Sequence, residues 1–530
     1  MKTRLLAALL AAVMSLTLLV GCEGNGGKTT TAATTTTTEE TTTTTEETTT
    51  TTEETTTTTE EETTTTSKRT TTKRKTTTTT APTTKWTFVL KKTTTTEETT
   101  TTDAEETTTV EGDETTTTSS TKRTVGSRTS KTTKDWSDTF PVKVNATAEE
   151  RAAAINNDLK GKEKIKIKSD RATVFAHDHD GYSFTHHPGI ALIDGRLFVQ
   201  FTQSKKDEDA PGQRIVVSYS DDFFTWSDPV VAGPCQENTL VPGTETGNVP
   251  SSFYAHDGSL FLFYAARNYA ADKFDSQNRF IANANVEGVD TNMFVKSDDK
   301  GLTWSEPIVY GSALGKPVQS LTGRWVSQIG RGISWLDDGE EANGLYWSHR
   351  SGLTAEQNAD ANSRVKEVKG TLTEASMYQT QDYVFHIMTR SDAGYLWHHE
   401  SLDNGETWED IYPTNFTTSS TMWRFGNLPD GRIFGIGSSD IKQGRYPLEL
   451  WVSDDGINFD TCYILRDEYD IAETGELFVQ KGQNQHCAGW AKGGEYAYPH
   501  VVIDDTYLYV TYSRHKEMME ITRVKLSDIQ

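Results

Sequence analysis

Beyond about residue 160, the chain is built of short stretches in which apolar and polar residues alternate. ALIDGRLFVQF (Ala191 to Phe201) and GSLFLFYAARN (Gly258 to Asn268) read as short strands, and the stretch Gln213 to Ser220 and LELWVS (Leu448 to Ser453) carry this period of two. That is the period of a β-strand with one face buried. Short turn phrases separate the stretches, and the pattern predicts no amphipathic helix.

The turn phrases are themselves repeated. Ser297-Asp298-Asp299-Lys300-Gly301-Leu302-Thr303-Trp304 returns as Ser401-Leu402-Asp403-Asn404-Gly405-Glu406-Thr407-Trp408, and shortened copies run from Ser220 to Trp226 and from Ser453 to Phe459. Each predicts a hairpin: the Asp carboxylate accepts backbone N–H bonds across the turn, Gly supplies positive φ, and the terminal aromatic packs back between strands. Repeated units of strand, turn and strand predict an all-β propeller of four-stranded antiparallel blades. Units begin near His186, Ser251, Ser327, Glu374, Trp423 and Tyr498, giving six blades, with room for a seventh between Arg324 and Gly370. KEKIKIK (Lys162 to Lys168) is expected to close the ring as the last blade's fourth strand.

The repeated phrases resemble the Asp boxes of the sialidase-like β-propeller superfamily. In that superfamily the box is structural, lying on an outer turn away from the axis where ligands bind. Resemblance to the sialidases themselves implies three arginines around a substrate carboxylate, an early Arg-Ile-Pro motif, an aspartate acid and a Tyr–Glu nucleophile pair. Here Arg-Ile-Pro is missing, and SFTHHPGIALIDGRLFVQF stands in its place. GGEYAYPH offers Glu495, Tyr496 and Tyr498. The segments His186 to Asp222, Asn427 to Asp460 and Tyr496 to Leu526 resemble a branch holding propeller polysaccharide lyases (ulvan, rhamnose–glucuronate) and an α-L-rhamnosidase. That likeness implies a glycan-degrading lyase or glycosidase acting at uronic acid or rhamnose linkages. Exo-sialidase and non-catalytic glycan-binding propeller are the alternatives.

Elimination at a uronate needs a base near neutral pH, fixed positive charge for the carboxylate, and an acid for the leaving oxygen. His187, His186, Tyr254 and Tyr498 are the catalytic candidates. Strand alternation is expected to send His186 and His187 to opposite faces. Asp209, Gln213, Arg214, Arg267, Arg390, Arg424, Arg445 and His500 are the substrate-binding candidates, while Lys205 to Glu208 reads as a solvated charge run. His398-His399 reads as structural. No motif requires a cofactor, and no metal ligand set is assigned. HDHDG (His177 to Gly181) reads as a polar turn, a calcium or zinc site being the alternative reading.

The first 22 residues, MKTRLLAALLAAVMSLTLLVGC, read as a secretory signal, and Leu19-Val20-Gly21-Cys22 resembles a bacterial lipobox that implies lipidation of Cys22. From residue 23 to 134 the chain is mostly Thr with Glu pairs, too poor in apolar surface to offset the entropy of ordering. It is expected to be a disordered stalk, with the folded part at 135–530. Between Lys28 and Lys134 there are 14 basic and 17 acidic residues, so the stalk holds only −3 of the formal charge of −24. The acidic remainder argues against nucleic acid as a partner. With Cys22 set aside, Cys235, Cys462 and Cys487 allow at most one disulfide, Cys462 and Cys487 being the nearest pair. The expectation is a monomeric, lipid-anchored protein on a bacterial cell surface, with extracellular polysaccharide or glycan as its partner.

Overall fold

A computed structural model describes residues 144–530, apart from 177–180, 183, 206–207, 282–287, 312–313, 337–338, 346, 442–443 and 469–495. Cys22, the Thr-rich stretch, most of HDHDG, Cys487 and Glu495 lie outside the described residues.

Among the described residues six sheets form, each a blade. The first is Phe184–Ile193, Arg196–Ser204, Arg214–Ser220 and Val230–Gly233; the second is Gly247–His256, Ser259–Asn268, Val289–Ser297 and Ile308–Val309. The third is Val318–Gln319, Trp325–Ile329, Gly332–Trp335 and His349–Gly352; the fourth is Leu372–Gln379, Phe385–Ser391, Tyr395–Ser401 and Tyr412–Thr417. The fifth runs Arg424–Asn427, Ile433–Gly437, Leu448–Ser453 and Thr461–Arg466. The sixth takes Tyr496–Ile503, Tyr507–Arg514 and Met518–Lys525 from the C-terminal end and its outer strand, Ser169–Phe175, from before the first blade. First strands pack on one another, the first blade's against those of the second and sixth, and the fifth's against those of the fourth and sixth. These strands line the axis.

The ring is closed by a strand just beyond the Lys-rich stretch that was predicted to close it. Ser169–Phe175 pairs antiparallel with Met518–Lys525, whereas Ile165–Lys166 adds a parallel fifth strand beside Thr461–Arg466. The reason is apolar surface: Ala172 and Val174 bury between blades, but Ile165 is 48% exposed and Lys164 and Lys166 pair with Glu449 and Asp467. No seventh sheet forms among the described residues; between Arg324 and Gly370 lie third-blade strands and a helix that alternation did not predict. This helix, Ala355–Glu367, opens with a reciprocal cap between Thr354 and Gln357 and buries Ala361 and Val365 against Trp397 and Ile411. A shorter helix, Ala148–Ala154, opens the same way with Thr147 and Glu150.

Side chains between neighbouring blades form six clusters that close the circle. Ile215, Leu260 and Leu262 lie between the first and second blades, Tyr254, Phe261 and Phe294 in the cluster facing the third, and Ile333, Phe385 and Ile387 between the third and fourth. Phe425 and Trp451 join the fourth to the fifth, Leu450 and Leu508 the fifth to the sixth, and Val199 and Ile521 the sixth to the first. Each large side chain fully buried this way contributes about 1.5–3 kcal/mol.

The repeated turns serve these seams. In the fourth blade, Asp403 accepts from the backbone N–H of Thr407 at 2.8 Å and from its hydroxyl at 2.5 Å, while Ser401 Oγ accepts from Gly405 N at 2.8 Å. Asp299 repeats the arrangement, and Asp222 and Asp455 keep its backbone part. Gly405 has φ +90°, and a Cβ there would meet the side chain of Ile333. In the first-blade copy Phe223 occupies the corresponding left-handed position at φ 76°. The terminal aromatics Trp226, Trp304, Trp408 and Phe459 each pack into a different interblade cluster. The boxes are structural.

The fourth blade buries His386, His398 and His399. Burial, the largest cause for each, holds His386 and His399 at about 3 and His398 well below its ordinary value. In the unfolded chain these groups titrate near pH 6.5. Below that pH the unfolded state takes up protons that the folded state refuses, so stability is full above about 6.5 and is lost as pH falls toward about 3. The expected slope is up to about 1.4 kcal/mol per pH unit per histidine. Thermal melts between about pH 7 and 5 should show a falling midpoint, and a flat midpoint over that range would contradict the assignment.

Candidate active site on the propeller axis

Two prolines shape the axial strands where the first and sixth blades meet. Proline has no N–H to give to a ladder, so it forces a bulge in a strand. Pairing jumps from His186↔Thr202 to Gly189↔Gln200 around His187-Pro188, and from Ala497↔Ser513 to His500↔Thr511 around Tyr498-Pro499. In both bulges the residue before proline is left-handed, His187 at φ 49° and Tyr498 at φ 58°. Such a conformation costs a non-glycine residue about 1–2 kcal/mol.

The first bulge defeats the alternation expected of His186 and His187, whose side chains turn to the same place. Their rings lie 4.5 Å apart, and both stand edge-on to Tyr498, at 4.5 and 5.6 Å between centroids. Both Nε2 atoms face Glu208, with His187 at 3.2 Å and His186 at 3.7 Å from Oε1. The other Glu208 oxygen accepts from Lys516 Nζ at 2.7 Å. Glu208 is only 5% exposed, so reading Lys205 to Glu208 as one solvated run fails at its last member. Lys516 lies in the buried hairpin between the last two strands, and its carbonyl accepts from Thr185 N at 2.7 Å, tying that hairpin to the first blade.

Tyr498 reaches across the ring. Its hydroxyl donates to Glu374 Oε1 at 2.5 Å, joining the sixth blade to the fourth. Arg390 NH1 donates to both Glu374 oxygens, at 3.1 and 3.0 Å. Burial works to raise the Glu374 pKa, but the Arg390 charge and the hydrogen bonds from Tyr498 and Thr373 outweigh it, leaving the carboxyl below its ordinary value. Burial first, then the Glu374 charge, pushes the Tyr498 phenol up. The pair is therefore a neutral phenol held against a carboxylate. Arg445 lies over the Tyr498 ring, 5.4 Å from its centroid. Arg424 donates to His500 Nε2, and His500 Nδ1–H donates to the Tyr498 carbonyl at 3.2 Å, which fixes His500 as a neutral imidazole. Burial pushes the Arg424 guanidinium down to about 10, and its Nε–H is buried with no partner. A buried cation with an unsatisfied donor is suited to an anionic ligand.

The predicted residues thus divide. His186, His187, Tyr498, His500, Arg390, Arg424 and Arg445 gather on the axis. Asp209, Gln213 and Arg267 instead brace a loop: Asp209 accepts from Arg267 at 2.9 Å and from Gln213 at 3.2 Å, and Arg267 also donates to Asp290. Arg214 donates to Gln203 and stacks 3.9 Å from the Tyr182 ring. Tyr254 does not belong to the site; it is stacked on Phe261 and Phe263 with its hydroxyl given to the Gly344 carbonyl. Tyr496 donates to Glu468. Among the described residues Cys235 and Cys462 form no disulfide, and Cys487 lies outside them. Glu208, Glu374 and Lys516 were missed. The parallel between HHPG and AYPH was the available clue to the two bulges, but no local clue marks Glu374.

The BNR repeat-like domain family matches residues 195–510, three-fifths of the chain. The chain belongs to that family. No curated protein matches the sequence. Among solved structures, a sialidase is similar at 15% identity over 72% of this chain and 35% of that one, with a TM-score of 0.44. The chain therefore spans about a third of that sialidase's length. The NanB sialidase from Streptococcus pneumoniae, in complex with a chlorobenzyl-ammonio ethanesulfonate, is 14% identical over 67% of this chain and 70% of that one, at 0.44. The intramolecular trans-sialidase from Ruminococcus gnavus is 14% identical, over 67% and 97%, at 0.43.

Tyr254→Phe tests the division within this BNR propeller. It should cost about 1 kcal/mol of stability and leave turnover of any substrate unchanged. A large loss of turnover in a stably folded Tyr254→Phe would place Tyr254 back in the site.

Proposed function

We propose that this BNR propeller is a glycoside hydrolase acting on glycans that carry an acidic sugar, with Tyr498 as nucleophile and Glu374 as its base. The observation that carries the reading is the 2.5 Å hydrogen bond from the Tyr498 hydroxyl to Glu374 Oε1, clamped by Arg390. A phenol is a poor nucleophile until its proton leaves, and an ionised carboxylate in line with it can take that proton as the bond to the anomeric carbon forms. A neutral nucleophile suits a sugar whose own carboxylate would repel an anionic one. Arg424, with its unsatisfied buried Nε–H, and Arg445 beside Tyr498 supply the positive charge for that carboxylate. The leaving oxygen needs a proton or a cation, and the His187–Glu208 corner faces the same volume.

A second reading, β-elimination at a uronate, draws on the His-His-Pro that stands where sialidases carry Arg-Ile-Pro. His187 and Tyr498, 5.6 Å apart between ring centroids, would then serve as base and acid. On either reading, lipidation at Cys22 and the Thr-rich stretch would display the propeller at a cell surface, where extracellular polysaccharide is its substrate.

The two chemistries separate with methylumbelliferyl glycosides of neuraminic and uronic acids beside uronate polysaccharides. Hydrolysis releases the fluorophore without an unsaturated product. Tyr498→Phe should lower turnover by about 10³-fold or more, and Glu374→Gln by about 10²- to 10⁴-fold. Because Glu374 must be ionised and its pKa is lowered, the acidic limb of the rate profile should fall below the ordinary glutamate value of about 4.3. Ultraviolet absorbance from an unsaturated uronate, persisting in Glu374→Gln and lost in His187→Ala, would replace hydrolysis by elimination. Unchanged turnover in Tyr498→Phe would end both assignments of that residue.

A further inference from the structure

We infer that His186, His187 and Glu208 form a binding site for one divalent transition-metal cation, a zinc-like ion, at the seam between the first and sixth blades. The site stands whether or not Tyr498 is a nucleophile. Three donor atoms, the two Nε2 atoms and a Glu208 oxygen, all lie within 4.8 Å of one another. The separations of 3.2 and 3.7 Å from Glu208 Oε1 to the imidazole nitrogens are close to those of ligands sharing one ion at bond lengths of about 2.0–2.2 Å.

Proton bookkeeping carries the argument further. Thr202 gives its only hydroxyl hydrogen to the His186 carbonyl at 3.0 Å. With that hydrogen spent, its oxygen is an acceptor for His187 Nδ1, 3.3 Å away, in the tautomer that carries its proton there. His187 Nε2 is thereby left to face a carboxylate oxygen at 3.2 Å, and two lone pairs at that distance repel unless a cation lies between them. His186 is fully buried, its Nδ1 lies 2.6 Å from Ser513 Oγ, and its Nε2 has no partner. One metal ion would take a lone pair from each of the three atoms and give His186 Nε2 a partner. A proton on His187 satisfies only the pair it bridges and leaves His186 Nε2 as it is.

The surroundings are those of a metal site. Each imidazole is held through its second nitrogen by a hydroxyl, and Lys516 holds the carboxylate through its other oxygen. The left-handed His187 before Pro188, a strained conformation, is what brings both imidazoles to one side of the strand. His187 is 14% exposed, which leaves an open side, next to Tyr498, for water or a sugar oxygen. A cation there adds positive charge beside Lys516, which Glu208, Glu374 and an acidic substrate offset. The other convergent group among the described residues, His386, His398 and Glu400, differs. Its two nitrogens already share a 2.9 Å hydrogen bond, and Arg151 occupies Glu400.

Cobalt(II) is the probe. The purified full chain, stripped with chelator and checked for folding by circular dichroism, is titrated with Co²⁺ alone and read by visible absorption and by metal content. We expect one equivalent bound with a visible spectrum of mixed nitrogen and oxygen ligation. His187→Ala and Glu208→Gln should each weaken binding about 100-fold or more, and Thr202→Val, which frees the His187 tautomer, about 10-fold. Tyr498→Phe should bind as the parent does, so the metal result is independent of the nucleophile. No binding below about millimolar by the folded parent, or an affinity unchanged in His187→Ala and Glu208→Gln, would overturn the site. So would loss of the cobalt signal on His386→Gln but not on Glu208→Gln.

Discussion

Everything at the axis depends on one strand pairing, Ser169–Phe175 along Met518–Lys525. A propeller is an open row of sheets until its ends are joined, and here the join falls between the first and sixth blades. His186, His187 and Glu208 stand on one side of that seam; Tyr498, Ser513 and Lys516 stand on the other. Ala172 and Val174 pack with Val199 and Ile521 in the seam's apolar cluster, so the burial that closes the ring also sets the distance between the two halves of the site. Non-local pairings of this length carry a loop-closure cost that only a large buried interface offsets.

Within that frame, two X-Pro bulges do the positioning. A regular strand would send alternate side chains to opposite faces, so His186 and His187 could not share a target. Pro188 and Pro499 each interrupt a ladder and leave the preceding side chain turned out of its expected row. The same device on adjacent strands brings an imidazole pair and a phenol edge to face. A neutral phenol against an ionised, arginine-clamped carboxylate, and a carboxylate held by a lysine against two imidazoles, are two separate polar groups about one axis. The first is suited to making a nucleophile, the second to holding a cation.

The fold was legible because its evidence is local and repeated. Asp299, Asp403, Asp222 and Asp455 make their bonds within four residues, and short strand-like runs recur between the turn phrases. The candidate site was half legible. His187, Tyr498 and the arginines could be guessed at strand ends, but Glu374 is 124 residues from Tyr498 and Lys516 is 308 from Glu208, and only ring closure brings each pair together. Glu208 was misread because a run of charges in a loop ordinarily meets water, whereas this one ends under a lysine. Tyr254 was overvalued because an aromatic near the end of a first strand can equally fill the wedge between blades, as it does here. The helix at Ala355–Glu367 was missed although its capping box, Thr354 to Gln357, is written in the sequence.

The most direct test of the account is the anomeric configuration of the first product, read by proton NMR in the opening minutes with an aryl glycoside of an acidic sugar. Attack by Tyr498 followed by water makes two displacements, so the first-formed sugar should keep the configuration of the substrate. An inverted sugar, or an unsaturated one, would contradict a covalent role for Tyr498.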